Sequence, residues 1–477
     1  MIPFLLVADS QLRGGNSLFD LIVIGAGPAG YVAALYAARK RMKVAVVEKD
    51  LVGGVCLNRG CIPSKALIAS GETYERIQHA KEYGIELDGP VFPNLPAMVQ
   101  RKEKVVELMR KGVENLLKGS QVTLLRGDAR VLVPGLIEVN GERVEAKHLL
   151  IATGSSPSTL PGFPLSGRRV LSTDHILSLT DLPKRLLVLG AGAAGCEMSF
   201  FFSMLGVEVT LLELMPRALP GEDEDISRLL EREMRRRKIQ FLPGVKVEGM
   251  EEGSEGVKLF LPEGKVLEGD YLFVSIGRLL HSRGLGLEEL GIRLGGKGEI
   301  QTDSRMRTNL PGIYAAGDVI GGLLLAHVAS AEGKLAVDEM LGQATPISYE
   351  KVPWAIFTTP EIGRVGLTER EARARLGEVR VGRFPYRALG KAQAIGETAG
   401  EAKIVVSASG EILGAHIIGA GASDVVQEVS TLMQAGATLE KLRRVVFSHP
   451  TLSEVVMEAL EDLEGLSLHQ LPPAHGS

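Results

Sequence analysis

Two cysteines separated by four residues stand in the run Val55-Cys56-Leu57-Asn58-Arg59-Gly60-Cys61-Ile62-Pro63-Ser64-Lys65. A thiol pair this close can bind metal, staple a loop or cycle between dithiol and disulfide. A tetrahedral metal site needs four ligands, and neither Cys56 nor Cys61 has a further cysteine or a histidine nearby. Three cysteines in 477 residues do not make a disulfide scaffold. The pair therefore reads as a two-electron redox couple in a reducing, cytoplasmic setting. Pro63 suits the first turn of a helix, and Ser64 to about Tyr83 has helix-forming composition. Cys61 then sits at that helix's N-terminal end, where partial positive charge favours the thiolate. Lys65 falls within the first turn.

The cysteines follow a glycine fingerprint. Leu21-Ile22-Val23-Ile24 reads as a buried strand, leading into Gly25-Ala26-Gly27-Pro28-Ala29-Gly30 and an alanine-rich helix to about Arg39. The next strand, Val44 to Val47, ends at Glu48. The same sequence of elements recurs at Leu186–Leu189, Gly190-Ala191-Gly192-Ala193-Ala194-Gly195, and a strand near 207–212 that ends at Glu213. In both copies the acidic residue lies 23 positions after the first glycine. The first glycine permits the tight turn, the second lets backbone approach a pyrophosphate, and the third lets helix and strand pack closely. The pyrophosphate rests on the helix N-terminus, and the carboxylate accepts from a ribose diol. Glu213 would repel a 2′-phosphate, and Arg217 lies beyond Pro216, so NAD is expected over NADP.

A third cluster lies near the C-terminus, in Ser448-His449-Pro450-Thr451-Leu452-Ser453-Glu454. Pro450 looks like the first position of a helix, with His449 at its mouth and Glu454 one turn inside. A carboxylate that fixes a histidine's tautomer and raises its basicity makes a general base suited to a thiol.

Around these sites the chain is long enough for several hydrophobic cores. Hydrophobic residues make up 45%, charged residues 23%, and the net charge of −4 calls for neither nucleic acid nor a membrane surface as partner. The most apolar stretch, around Phe200-Phe201-Phe202, is interrupted by Ser199 and Ser203 and is too short for a membrane span. Residues 1–17 lack the basic start of a signal peptide and read as a disordered extension.

Taken together, these motifs resemble the flavin-dependent pyridine nucleotide–disulfide oxidoreductases, most closely the members that oxidise protein-bound dihydrolipoamide. The resemblance runs from about Phe19 to Pro472. It rests on Gly53-Gly54-Val55-Cys56-Leu57-Asn58 through Lys65, Ala152-Thr153-Gly154, Gly277-Arg278, Ala316-Gly317-Asp318-Val319, Leu325-Ala326-His327 and His449-Pro450-Thr451 with Glu454. It implies an α/β fold with two Rossmann-like dinucleotide-binding domains and a C-terminal α+β dimerisation domain. The expected segments are 18–152 for FAD, 153–277 for NAD, 278–345 completing the FAD site and 346–477 for the subunit interface.

The resemblance also implies roles. Gly25, Gly27, Gly30 and Glu48 would bind the ADP half of FAD. Asp318 would hold its ribityl chain, Leu325, Ala326 and His327 would face its pyrimidine, and Ala129, Thr153, Gly154 and Ser155 would line it. Gly190, Gly192, Gly195, Glu197, Glu213 and Gly277 would bind NAD, with Lys65 and Glu197 paired beside the flavin. Cys56 would exchange with substrate and Cys61 would face the flavin. His449 of the partner subunit, oriented by Glu454, would deprotonate the dithiol, which makes the expected enzyme a homodimer. Its partner would be the lipoyl domain of a 2-oxoacid dehydrogenase or glycine cleavage complex, supplied by another chain; no metal is implied.

Three positions depart from the family pattern. Ala193-Ala194 stands where bulky residues are common, Phe447 where a second histidine is usual, and Leu279-Leu280-His281 where a basic-Pro-Asn run is usual. Among alternatives, glutathione-type reductases carry a basic site near the position of Glu213. Mercuric and large thioredoxin reductases need a C-terminal redox pair, and no cysteine follows Cys196. A reductase of another disulfide and a catalytically silent flavoprotein subunit stay open; intact Cys56, Cys61, His449 and Glu454 argue against the second.

Overall fold

The computed structural model describes residues 18–470; the extension expected at 1–17 lies outside them. Two compact units emerge. The first comprises 18–58, 106–156 and 279–347; the second comprises 59–105, 157–278 and 348–470.

The first unit is built on a seven-stranded sheet. Its parallel part runs Thr123–Arg126, Val44–Glu48, Phe19–Ile24, Glu142–Ile151 and Ile313–Ala315, with registers such as Ile22 beside Ala45 and Leu149, and Leu149 beside Ile313. The central strands Phe19–Ile24 and Val44–Glu48 are near-continuous apolar runs, as strands covered on both faces must be. Ala129–Val133 and Leu136–Val139 extend the sheet as an antiparallel meander. The helix Pro28–Arg39 crosses Ala326–Met340 closely, since a Cβ at Gly333 would come within 2.4 Å of the Ala29 carbonyl oxygen. Residues 279–347, which take in all but the first residue of the segment expected at 278–345, belong to this unit, and the strand Ile313–Ala315 joins its sheet.

The second unit repeats the plan. Gln240–Leu242, Glu208–Leu212, Arg185–Leu189, Tyr271–Val274 and Val170–Leu171 form a parallel sheet, and the helix Ala193–Met204 packs on it. Phe200, Phe201 and Phe202 are all fully buried there, which accounts for the apolar run. The helix Cys61–Gln78 joins this unit because Gly71 lets it lie against Phe201 and Met204. A second, antiparallel sheet follows, ordered Trp354–Ile356, Glu361–Gly366, Ile412–Gly419, Glu401–Ser407 and Val379–Pro385, with Ala422–Gln434 and Glu454–Asp462 packed on it. Among the described residues no helix is long and apolar enough to cross a membrane.

Two polar joints tie the parallel and antiparallel sheets of this unit together. Buried Lys403 donates to Asp223 at 2.8 Å, to Asp225 at 2.7 Å and meets Glu369 at 2.8 Å. At the other, the Trp354 indole N–H donates to Glu222 at 2.8 Å while the Arg364 guanidinium lies 4.4 Å over the ring.

Burial opposes ionisation of Asp225, but Lys403 and Arg383 outweigh it and hold the carboxyl at about 2, below its ordinary 3.8. This contribution to stability is fully present above the ordinary value and is lost as pH falls through about 2. Lys403→Met would strip buried Asp223 of its ammonium and take one partner each from Asp225 and Glu369, and a loss of roughly 3–5 kcal/mol is expected in denaturant unfolding.

Candidate active site

The segment that carries Cys56 is pinned to the first glycine turn. The Gly53 N–H donates to the Ala26 carbonyl at 2.8 Å, and Gly54 lies so near Gly27 that a Cβ would approach its Cα to 2.6 Å. Asn58 then ties the short helix Gly54–Arg59 to its own start, donating to the carbonyls of Val52 at 3.0 Å and Gly54 at 2.9 Å. Cys56 is half-buried and Cys61 exposed.

Cys61 is the first residue of an 18-residue helix, Cys61–Gln78, with Pro63 in its first turn as expected. Pro63 is tolerated there because the first N–H groups of a helix have no partner within it. The helix ends at Gln78 rather than at about Tyr83, and a short 3-10 turn, Ala80–Tyr83, follows. No side chain caps its N-terminus, so the terminal N–H dipoles remain directed at the cysteine end. Cys196, the third cysteine, is buried in Ala193–Met204, and burial raises its thiol far beyond reactivity.

One turn into the cysteine helix, Lys65 Nζ reaches both oxygens of Glu197 at 3.0 and 2.9 Å. Glu197 lies just past the first turn of Ala193–Met204 and is only 7% exposed. The backbone N–H of Phe357 donates to the same carboxylate at 3.0 Å, and Lys65 Nζ lies 4.4 Å from the centre of the Phe357 ring. A buried carboxylate is thus matched by one ammonium and one amide, as desolvation requires. Phe357 had no signal in sequence, since only folding brings it to Lys65.

The two glycine turns repeat each other atom for atom. Glu48 accepts from the Ala26 N–H at 2.7 Å and the Asp50 N–H at 2.8 Å. Glu213 accepts from the Ala191 N–H at 2.7 Å and the Met215 N–H at 2.9 Å. Each carboxylate oxygen takes one backbone donor and keeps lone pairs for a ribose diol.

The glycines divide by cause. A Cβ at Gly25 would strike the Ala152 carbonyl oxygen at 2.3 Å, and one at Gly30 the Gly25 oxygen at 1.8 Å. Gly190 and Gly195 are confined alike, by the oxygens of Ser275 at 2.2 Å and Gly190 at 1.9 Å. Gly192 has nothing within 4 Å, Gly27 only the Gly54 Cα at 3.9 Å, and both have φ values open to any residue. The fold itself therefore does not require glycine at the second position. The backbone at Gly27 and Gly192 is left open to approach from outside the chain, which fits a pyrophosphate on an uncapped helix N-terminus.

Around the first turn, Ser155 Oγ donates to Asp318, and buried Glu332 accepts from the Gly317 N–H at 2.8 Å. Leu325 is the N-cap of Ala326–Met340, with Ala326 and His327 in its first turn. Ala129 opens its strand, half-buried against the sheet's core. Gly277, with φ 141°, follows the strand Tyr271–Val274 in the second unit.

His449 lies beside Glu454, with Nδ1 2.9 Å from Oε1, while Oε2 accepts from the Thr451 N–H at 2.8 Å. The helix does not begin at Pro450 as the sequence suggested. It begins at Glu454, because Thr451 spends its N–H on Glu454 and its hydroxyl on the Ser448 carbonyl, local bonds that displace a helical turn. Burial raises the Glu454 carboxyl, but the Thr451 amide and the His449 imidazole together hold it below its usual range. The imidazole itself is 74% exposed in the single chain. Among the described residues no cluster of His, Cys, Asp or Glu is arranged to hold a metal.

Residues 19–333 match the family model described as pyridine nucleotide-disulphide oxidoreductase, and 352–460 match that family's dimerisation domain. The chain belongs to the pyridine nucleotide–disulfide oxidoreductases. Within this family it is 40% identical to the dihydrolipoyl dehydrogenase of Chlamydia muridarum, across 96% of this chain and 99% of that protein. The structure is similar to that of LpdA from Mycobacterium tuberculosis, with a TM-score of 0.87 and 30% identity over 93% of this chain and 99% of LpdA. It is also similar to RclA from Escherichia coli, a HOCl-induced flavoprotein disulfide reductase, with a TM-score of 0.84 and 27% identity over 93% and 99% of the two chains. Proteins of this family use FAD and NAD(H).

Paired substitutions separate the two kinds of glycine. Gly192→Ala should cost no more than about 1 kcal/mol of stability yet weaken binding of NADH, read by titration of its fluorescence. Gly195→Ala forces a methyl onto a carbonyl oxygen, and a loss of about 1–3 kcal/mol in thermal unfolding is expected.

Proposed function

We propose that this chain is a dihydrolipoyl dehydrogenase: a homodimer that oxidises the dihydrolipoyl group of a lipoyl domain and passes the electrons to NAD. The observation that carries the reading is Cys61 at the first position of an uncapped 18-residue helix, five residues after Cys56, in a chain of this family. The 40% identity to a dihydrolipoyl dehydrogenase over nearly the whole chain supports the substrate. FAD fits the first turn and NAD the second, where Glu213 disfavours a 2′-phosphate. Bound FAD supplies a two-electron acceptor between the dithiol and the nicotinamide.

The chain's own residues then divide the work. The partner subunit's His449, held through Nδ1 by Glu454, takes a proton at Nε2 from one substrate thiol. The thiolate formed attacks Cys56 of the Cys56–Cys61 disulfide, releasing Cys61 as a thiolate that the helix N-terminus stabilises. The second substrate thiol attacks the mixed disulfide, closing the lipoyl ring and freeing Cys56. Lys65, paired with Glu197, would lend positive charge to the bound flavin, and Gly277 and Glu213 would hold the nicotinamide nucleotide. In the homodimer the partner subunit's His449 would come to the cysteines. The lipoyl domain comes from a 2-oxoacid dehydrogenase or glycine cleavage complex, in a cytoplasmic setting.

Similarity to RclA supports a second reading, an NADH-dependent reductase of another disulfide. Anaerobic reduction of NAD by dihydrolipoamide decides between them. Turnover is expected, and it should vanish in Cys56→Ser. His449→Gln should lower kcat by about 10²–10⁴, the usual worth of a positioned base. A yellow protein that oxidises NADH but leaves dihydrolipoamide untouched would sink the first reading and favour the second.

A further inference from the structure

The strand Glu142–Ile151 ends in the turn Ala152-Thr153-Gly154-Ser155, which touches two parts of the first dinucleotide site at once. Ala152 and Thr153 press against Gly25, whose Cβ would lie 2.3 Å from the Ala152 oxygen and 3.2 Å from the Thr153 Cα. Ser155 donates to Asp318. Yet Gly154 sits at φ +69° with nothing within 4 Å of where its Cβ would be. A segment that bridges two sites while one side stays open needs another anchor.

His281 is that anchor. Its backbone N–H donates to the Gly154 carbonyl at 3.0 Å, and its own carbonyl accepts from the Thr153 hydroxyl at 2.7 Å. Its ring Nδ1 lies 3.2 Å from the Thr153 carbonyl oxygen. A carbonyl can only accept, so Nδ1 carries the proton in this contact. Each residue thus gives one side-chain bond to the other's backbone, and a third bond joins backbone to backbone. The clasp is reciprocal.

We infer that His281 is a positioning residue for the flavin dinucleotide, holding the Thr153–Gly154 turn between Gly25 and Asp318; this rests on the FAD site proposed above. Asparagine is usual at this place in the family that the sequence resembles, and the geometry explains how histidine serves. The asparagine amide nitrogen and the histidine Nδ1 stand the same number of bonds from the backbone, so either can donate to the Thr153 carbonyl. Glutamine's amide is one bond too far.

The test is FAD retention in the full-length protein, followed as the rise in flavin fluorescence on release. His281→Ala should release FAD roughly three- to tenfold faster, the change expected for one lost hydrogen bond of ordinary strength. His281→Asn should restore the native rate, and His281→Gln should not. Thermal unfolding of the flavin-free proteins should differ far less than their FAD release rates. If native protein holds FAD and all three variants release it at the native rate, the positioning role is wrong while the FAD site stands. Equal release by the asparagine and glutamine variants, both faster than native, would also overturn it. A native protein that binds no FAD at all would instead overturn the functional reading on which the inference rests.

Discussion

Both halves of the molecule depend on how near a helix can come to the strand that feeds it. At each glycine turn the third glycine faces the carbonyl of the first at a distance no side chain tolerates: a Cβ at Gly30 would lie 1.8 Å from the Gly25 oxygen, and one at Gly195 1.9 Å from the Gly190 oxygen. That closeness points the N-terminus of each helix over the end of its sheet. It also lets one carboxylate, Glu48 or Glu213, hold the turn through a backbone N–H in the middle of the fingerprint. From the first turn hangs the Gly53–Gly54 segment and with it Cys56. From the helix of the second turn comes Glu197, the partner of Lys65. The redox residues are placed by backbone geometry first and by side-chain chemistry second.

This explains which features the sequence makes visible. Strand, turn, helix and acid are local, so both fingerprints and the ends of their strands can be read within a residue or two. The cysteine pair and the His449–Glu454 pair are also short-range, and the structure brings the latter together at hydrogen-bond distance. Where local reading fails, a side chain has competed with the backbone. Thr451 and Glu454 consume the bonds that a helix starting at Pro450 would need. The start of the helix at Cys61 was legible because proline marks a first turn, where the N–H groups have no partner within the helix.

Other residues were invisible because their partners lie far along the chain. Phe357 supplies an amide to Glu197 and a ring to Lys65, yet nothing in its neighbourhood marks it. Nothing beside Lys403 in the sequence shows that it is buried among three carboxylates. Periodicity assigns a face to a side chain, but it cannot say that a second layer will cover that face. The division into units is non-local for the same reason. Ile313–Ala315 completes a sheet whose other strands lie far upstream, and Cys61–Gln78 packs on a helix far downstream.

The chain contains a single tryptophan, and it stands at one of the two polar joints between the sheets of the second unit. The Trp354 indole is bonded to Glu222, whose carboxyl burial pushes up, and is stacked under the Arg364 guanidinium. Charge on either side of an indole shifts the energy of its excited state, so the colour of its emission follows the geometry of that joint. Because no other tryptophan contributes, the ultraviolet fluorescence of the protein comes chiefly from this one place. Sliding of the Glu222 turn against the antiparallel sheet would be seen directly, without a label, as a change in wavelength. The fold thus carries an optical gauge at the seam between its nucleotide-binding and dimerisation layers.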